Sequence, residues 1–191
     1  FVAVPAWKLQ MTFDDAFVED WLKRIDGFHA EGSRLIKFHA APGTSRRWQI
    51  NGLDDPRIER VAQYAYDRGF NFMTHIGDPK AWFYGNGAYA AGEGKPPPAF
   101  FSDQFAQLER MLEKYPDRIH LGAPMGGTLE DLDNLGRRLE KFPNYVIDTS
   151  ATKWMVRAVA EQSPAAVRDF ITNFQDRILF GSDIVVGDKY D

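Results

Sequence analysis

Polar side chains follow several short apolar runs in this sequence, and their types suit metal binding and proton transfer. They lie in four separate runs: Lys37 with His39, then His75, Asp148 and Asp183. Lys37 and His39 are two residues apart, so in a strand both would lie on one face. Imidazole and carboxylate groups that converge from separate strands are ligands for a divalent cation such as zinc. The pattern predicts a polar site built from strand ends.

Each of these residues also has an ordinary structural interpretation. His75 could be a hydrogen-bonded residue at the end of a strand, and Lys37 could belong to a buried ion pair. Asp183, which follows Gly-Ser, could cap a helix, and Asp148 could do the same. The four runs together favour a functional site more strongly than any one residue does.

The apolar runs alternate with amphipathic stretches along the chain. Strands are predicted at 1–7, 34–40, 70–76, 119–123, 145–151 and 177–183. Helices are predicted near 14–30, 56–68, 102–115, 128–141 and 153–173, the last divided in two by Ser163-Pro164. Alternation of this kind indicates parallel strands joined by right-handed crossovers. An open doubly wound sheet and a (β/α)₈ barrel both fit. No strand is followed by G-x-G-x-x-G, which favours the barrel.

The connection at 77–101 is unusually long and rich in Gly, Pro and aromatic residues, among them Trp82. Loops of this length are commonly functional lids or segments without regular structure. The aromatic content favours a lid over a surface excursion.

Composition excludes several classes of function. The formal net charge of −4 argues against a nucleic-acid or anionic-membrane surface. The absence of Cys excludes thiolate metal sites. We find neither an apolar run of membrane-spanning length nor a signal peptide, so a cytoplasmic location is expected. The chain opens on "FVAVPAW" without an initiator Met, which suggests a fragment.

Taken in order, the segments "IKFH", "MTHIGDP", "LGAPMGG", "YVIDTSA" and "RILFGSD" resemble the amidohydrolase superfamily, specifically the amidohydrolase-related (amidohydrolase-2) metal-dependent barrels. The resemblance implies an incomplete (β/α)₈ TIM barrel of about six β/α units, strands 3 to 8, in which residues 1–191 form one partial domain. Family members hold their metal with H-x-H on strand 1, a His on strand 5, often a His on strand 6, and an Asp on strand 8. The resemblance makes His75 the strand-5 ligand and Asp183 the strand-8 ligand.

Two departures from the family pattern concern the metal. Pro124 occupies the position of the strand-6 His, and no H-x-H motif occurs in the chain. His120 lies four residues earlier on the same strand, about 13 Å away, so it is not expected to replace the missing imidazole. With two family ligands remaining, we expect weak metal binding by this chain, because a catalytic zinc usually has about three protein ligands.

The resemblance implies a metal-dependent hydrolase in which metal-activated water attacks a C–N or C–O bond of a small molecule, with Asp183 as general base. A decarboxylase of the same family, and a barrel remnant without catalysis, are the alternatives. Lys37, His39, Arg46 and Trp82 are candidates for substrate binding, and zinc is the expected metal. A bridging carboxylated Lys37 is the less favoured role for that residue. Because two strands are expected to be missing, the open edge should make the chain self-associate.

Overall fold

The sheet of this protein is parallel, and its strands follow one another in chain order. The computed structural model describes residues 12–77, 101–150 and 153–182, together with Val2 and Phe83. Within these ranges the sheet has five strands in the order β1-β2-β3-β4-β5, and every neighbouring pair is parallel. The strands are β1 (Leu35–His39), β2 (Asn71–His75), β3 (His120–Gly122), β4 (Tyr145–Asp148) and β5 (Ile178–Leu179). Apart from Val2, the strand predicted at 1–7 lies outside the described residues.

Helices connect the strands at the predicted places. Their bounds are α1 (Asp15–Ala30), α2 (Pro42–Trp48), α3 (Pro56–Asp67), α4 (Phe101–Lys114), α5 (Leu132–Lys141), α6 (Lys153–Glu161) and α7 (Pro164–Asn173). The predicted division before Pro164 is confirmed, because the Ser163 side chain accepts a hydrogen bond from the Ala166 N–H. In the described ranges no helix is long and apolar enough to cross a lipid bilayer.

Two details of the helices differ from the sequence prediction. The short helix α2 was not expected; Pro42 occupies its first turn, and Gln49 ends it in the left-handed conformation. Helix α5 begins later than predicted, because Asp131 and not Thr128 caps it by accepting from the Asn134 N–H.

The helices cover one face of the sheet, which we call the outer face. In β1 and β2 every second residue is buried, and the alternate residues are half-buried. The buried set, which includes Ile36, Phe38 and Phe72, joins residues of the helices in one hydrophobic core. Lys37 and Met73 pair across β1 and β2 on the other face, the inner face. An α/β sheet with sequential strands and helices on one face is consistent with part of a TIM-type barrel.

Candidate functional site

Two imidazoles lie side by side at the carboxyl edge of the sheet, on its inner face. His39 ends β1, His75 ends β2, and the strand register pairs the two residues directly. Their ring centroids are 4.4 Å apart, and the ring planes are inclined by 44°. Both side chains are half-buried. The sequence predicted that these residues share an edge, and the structure adds that they are immediate neighbours.

Helix α2 supplies the hydrogen-bond partner of His39. Because Pro42 starts this helix three residues after β1 ends, Thr44 lies in its first turn close to the strand end. The Thr44 Oγ1 atom is 2.8 Å from His39 Nδ1. This contact orients one imidazole of the pair. Sequence reasoning missed Thr44 because α2 was not predicted.

Asp148 continues the polar row at the end of β4. It follows Val146 on the inner face by strand alternation, and only 3% of its surface is exposed. One carboxylate oxygen, Oδ1, accepts hydrogen bonds from the Ser150 hydroxyl at 2.7 Å and the Ser150 N–H at 3.2 Å. A Cβ added at Gly181 would lie 2.8 Å from the other oxygen, so the glycine leaves room for the carboxylate. Asp148 is thus held in place by the loop that follows it.

The strand tip that carries Pro124 is packed closely against the end of β2. Gly77 follows β2, Gly127 follows β3, and both have positive φ. A Cβ on Gly127 would lie 2.3 Å from the Ile76 carbonyl oxygen. Gly77 and Gly127 therefore let the two post-strand segments approach backbone to backbone. This contact fixes the segment that directly follows His75.

Ala123 and Pro124 continue β3 toward the carboxyl edge. The Ala123 N–H donates to the Thr74 carbonyl at 2.9 Å, so the ladder extends to that residue. Alternation after Leu121 places Ala123 on the inner face, in the row of His75 and Asp148. Pro124, which is buried, is the next residue.

His120 is on the outer face and cannot join this row. It pairs with Phe72 in the register, its ring is 4.9 Å from the Phe72 ring, and it is fully buried. Burial lowers the pKa of His120 to about 4, although its Nε2 lies 3.3 Å from the Tyr115 carbonyl oxygen, which favours the charged form. The prediction that His120 does not replace the missing strand-6 imidazole agrees with this placement.

Of the remaining predicted site residues, some lie in the described part of the chain and some outside it. Lys37 lies on the inner face two residues before His39, and Arg46 is half-buried in α2. Trp82 and Asp183 lie outside the described residues, so their roles stay predictions. Trp48, the last residue of α2, is buried in the core, with its ring 5.1 Å from that of Phe13.

The donor set fits a borderline divalent cation in type. Imidazole nitrogens are common ligands of zinc, and His39 and His75 place two such rings 4.4 Å apart. Among the residues that the structure describes, no group of three or more His, Cys, Asp or Glu side chains could hold a metal ion. A complete site therefore needs donors beyond those described, for which Asp183 is the candidate.

A cavity of about 630 Å³ lies between α4 and α5. Arg138 lines it, with only 4% of its side chain exposed. Its guanidinium donates to Asn134 Oδ1 at 3.0 Å, lies 3.4 Å from Glu109 and sits over the Phe105 ring. These contacts join two outer helices, so we assign the cavity a packing role.

Comparison with known proteins identifies one family. The sequence matches a family model described as Amidohydrolase over residues 6–188. No curated protein and no solved structure was found to match the chain.

Proposed function

The chain belongs to the amidohydrolase family, and from this premise we propose that it serves as a metal-dependent hydrolase of a C–N or C–O bond in a small molecule. The observation that carries the proposal is the paired imidazoles of His39 and His75 at the carboxyl edge of a parallel sheet. This edge is where barrel enzymes place their catalytic groups. The proposed architecture is one partial (β/α)₈ barrel domain spanning residues 1–191.

His75 and Asp183 would hold the metal, for which zinc is the proposed identity. A bound divalent metal supplies Lewis acidity, which lowers the pKa of water toward about 7 and polarises a carbonyl group. The segment after His75 supports this role, because Gly77 and Gly127 lock it against the neighbouring turn. The Gly77 N–H also donates to the buried Gln104 at 2.7 Å. The segment after His75 is therefore held by close packing and by a hydrogen bond.

The protein's own groups would move the proton and bind the substrate. Asp183 is proposed to take a proton from water as general base and return it to the leaving group. Lys37 and Arg46 carry positive charge near the same edge and would attract an anionic substrate group. Trp82 would contact an apolar part of the substrate. We propose no nucleic-acid or membrane partner for this protein. Its self-association and its cytoplasmic location are further proposals.

One observation favours a second candidate. Pro124 stands where the family resemblance implies an imidazole, and its presence there is the change expected if a metal site had lost its function. A barrel remnant that binds ligands without catalysis is therefore the alternative. A decarboxylase of the same family is a further variant of the enzyme hypothesis.

Activity measured on the full-length protein with and without added zinc separates these functions. The substrates are a panel of amides, lactones and aromatic carboxylic acids. We expect zinc-dependent hydrolysis that is lost on chelation and reduced at least about 100-fold by His75→Gln, because loss of a metal ligand should cost more than the roughly 10–100-fold typical of losing a partner of a ligand. His29→Gln is the matched control, since His29 lies at the end of α1, by the opposite edge of the sheet. Release of CO₂ would assign the decarboxylase, and no zinc-dependent turnover would favour the remnant.

A further inference from the structure

We propose that His39 is a metal ligand together with His75, so that adjacent strands β1 and β2 supply a pair of imidazoles to one ion. The family resemblance assigns the metal to His75 and Asp183 and leaves His39 to the substrate. The structure instead pairs His39 with His75 in the register, on the same face and at the same edge. The inference rests on the proposed function only in requiring that His75 binds a divalent metal.

The separation of the rings is the first argument. Zinc binds imidazole nitrogen at about 2.0–2.1 Å. Two rings bound to one ion at an angle between a right angle and a tetrahedral angle have centroids about 4.5–5 Å apart, by geometry from that bond length. The observed 4.4 Å lies just below this range, and the inclination of 44° is not that of a parallel stack. A metal could be bound with little movement of either strand.

The hydrogen bond from Thr44 is the second argument. A histidine that binds metal through Nε2 carries its proton on Nδ1, and that proton is commonly donated to a neighbouring oxygen. Thr44 Oγ1 lies 2.8 Å from His39 Nδ1 and can accept it. The contact is thus of the type that orients a metal-binding imidazole.

Pro124 gives a chemical reason for a metal ligand at position 39. Beside β2, strand β3 places Ala123 in the row of His75, and the following residue is Pro124, where the family resemblance implies an imidazole. On the other side of β2, strand β1 presents the imidazole of His39. The chain would thereby recover on β1 a nitrogen ligand that it lacks on β3.

The test replaces each imidazole with a thiol and observes cobalt. The chain contains no Cys, so a single introduced thiol has no background. A metal-bound thiol is deprotonated, and a thiolate on Co²⁺ gives a charge-transfer band in the near ultraviolet. Co²⁺ is added under reducing, anaerobic conditions to His39→Cys, to His75→Cys and to the control His29→Cys. We expect the band for positions 39 and 75 and not for position 29.

Zinc affinity supplies a second readout. Competition with a chromophoric chelator is expected to show at least about 10-fold weaker zinc binding by His39→Gln, and a smaller loss by Thr44→Val. Far-ultraviolet circular dichroism confirms that each half-buried substitution leaves the fold intact. A band at position 75 but none at 39, with unchanged zinc affinity of His39→Gln, overturns the inference and leaves the proposed function standing. No band at either position, with no zinc bound by the unsubstituted chain, overturns both.

Discussion

The buried histidine on the outer face should make the stability of this protein depend on pH in a defined window. His120 is fully buried, and burial lowers its pKa from 6.5 in a solvated chain to about 4. The folded state thus keeps His120 neutral at pH values where the unfolded chain binds a proton. With respect to this group, the free energy of unfolding is therefore highest above pH 6.5, and it decreases as the pH falls toward 4. A pKa difference of this size lowers the free energy of unfolding by at most about 3 kcal/mol on acidification.

The measurement is equilibrium unfolding in urea at intervals between pH 7.5 and 4, for the unsubstituted chain and for His120→Leu. Leucine preserves most of the apolar contact with Phe72. It leaves the Tyr115 carbonyl satisfied, because that oxygen also accepts from Asn144 Nδ2 and the Arg118 N–H. We expect the unsubstituted chain to lose up to about 3 kcal/mol more than the variant on acidification. Parallel pH profiles for the two proteins would refute the assignment of this titration to His120.

Two further predictions concern the fold. Gly122→Ala places a Cβ 2.1 Å from the Tyr145 hydroxyl oxygen, so we expect a loss of about 1–3 kcal/mol in the free energy of unfolding. Combination with Tyr145→Phe should recover part of this loss. A loss within error of zero for Gly122→Ala would contradict the prediction. Asp55→Ala removes the cap of α3 and the partner of Arg57, and is expected to cost about 2 kcal/mol. Burial raises the pKa of Asp55, but its hydrogen bonds to Arg57 and Asn51 outweigh this and lower it below 3.8. In urea unfolding, the unsubstituted chain should therefore be more stable than Asp55→Asn above pH 3.8. The difference in the free energy of unfolding between the two should shrink only below that pH.

Much of the fold was predictable because its signals are local. Alternation of apolar runs and amphipathic stretches set the order of strands and helices, and Ser163 with Pro164 marked a helix start through cap chemistry alone. Helix α2 was missed because its seven residues, "PGTSRRW", carry no apolar periodicity. Thr128 and Asp131 are both capping residues, and only the path of the chain decides that Asp131 is the cap.

The site was predictable in its location but not in its pairing. Parallel strands bring their carboxyl ends to one edge, so His39 and His75 could be expected there. Their direct opposition depends on the register between β1 and β2, which is set by packing of Ile36, Phe38 and Phe72 against the helices. No local signal in the sequence reports that register.

We propose that the carboxyl edge of β1 and β2 binds a metal through His75. Anomalous diffraction at the zinc absorption edge, from crystals of the protein grown with zinc, tests it directly. We predict an anomalous peak about 2.0–2.1 Å from a ring nitrogen of His75, with His39 as its second imidazole, and its absence in His75→Gln. A zinc peak elsewhere, or none at this edge when zinc is bound in solution, would contradict the claim.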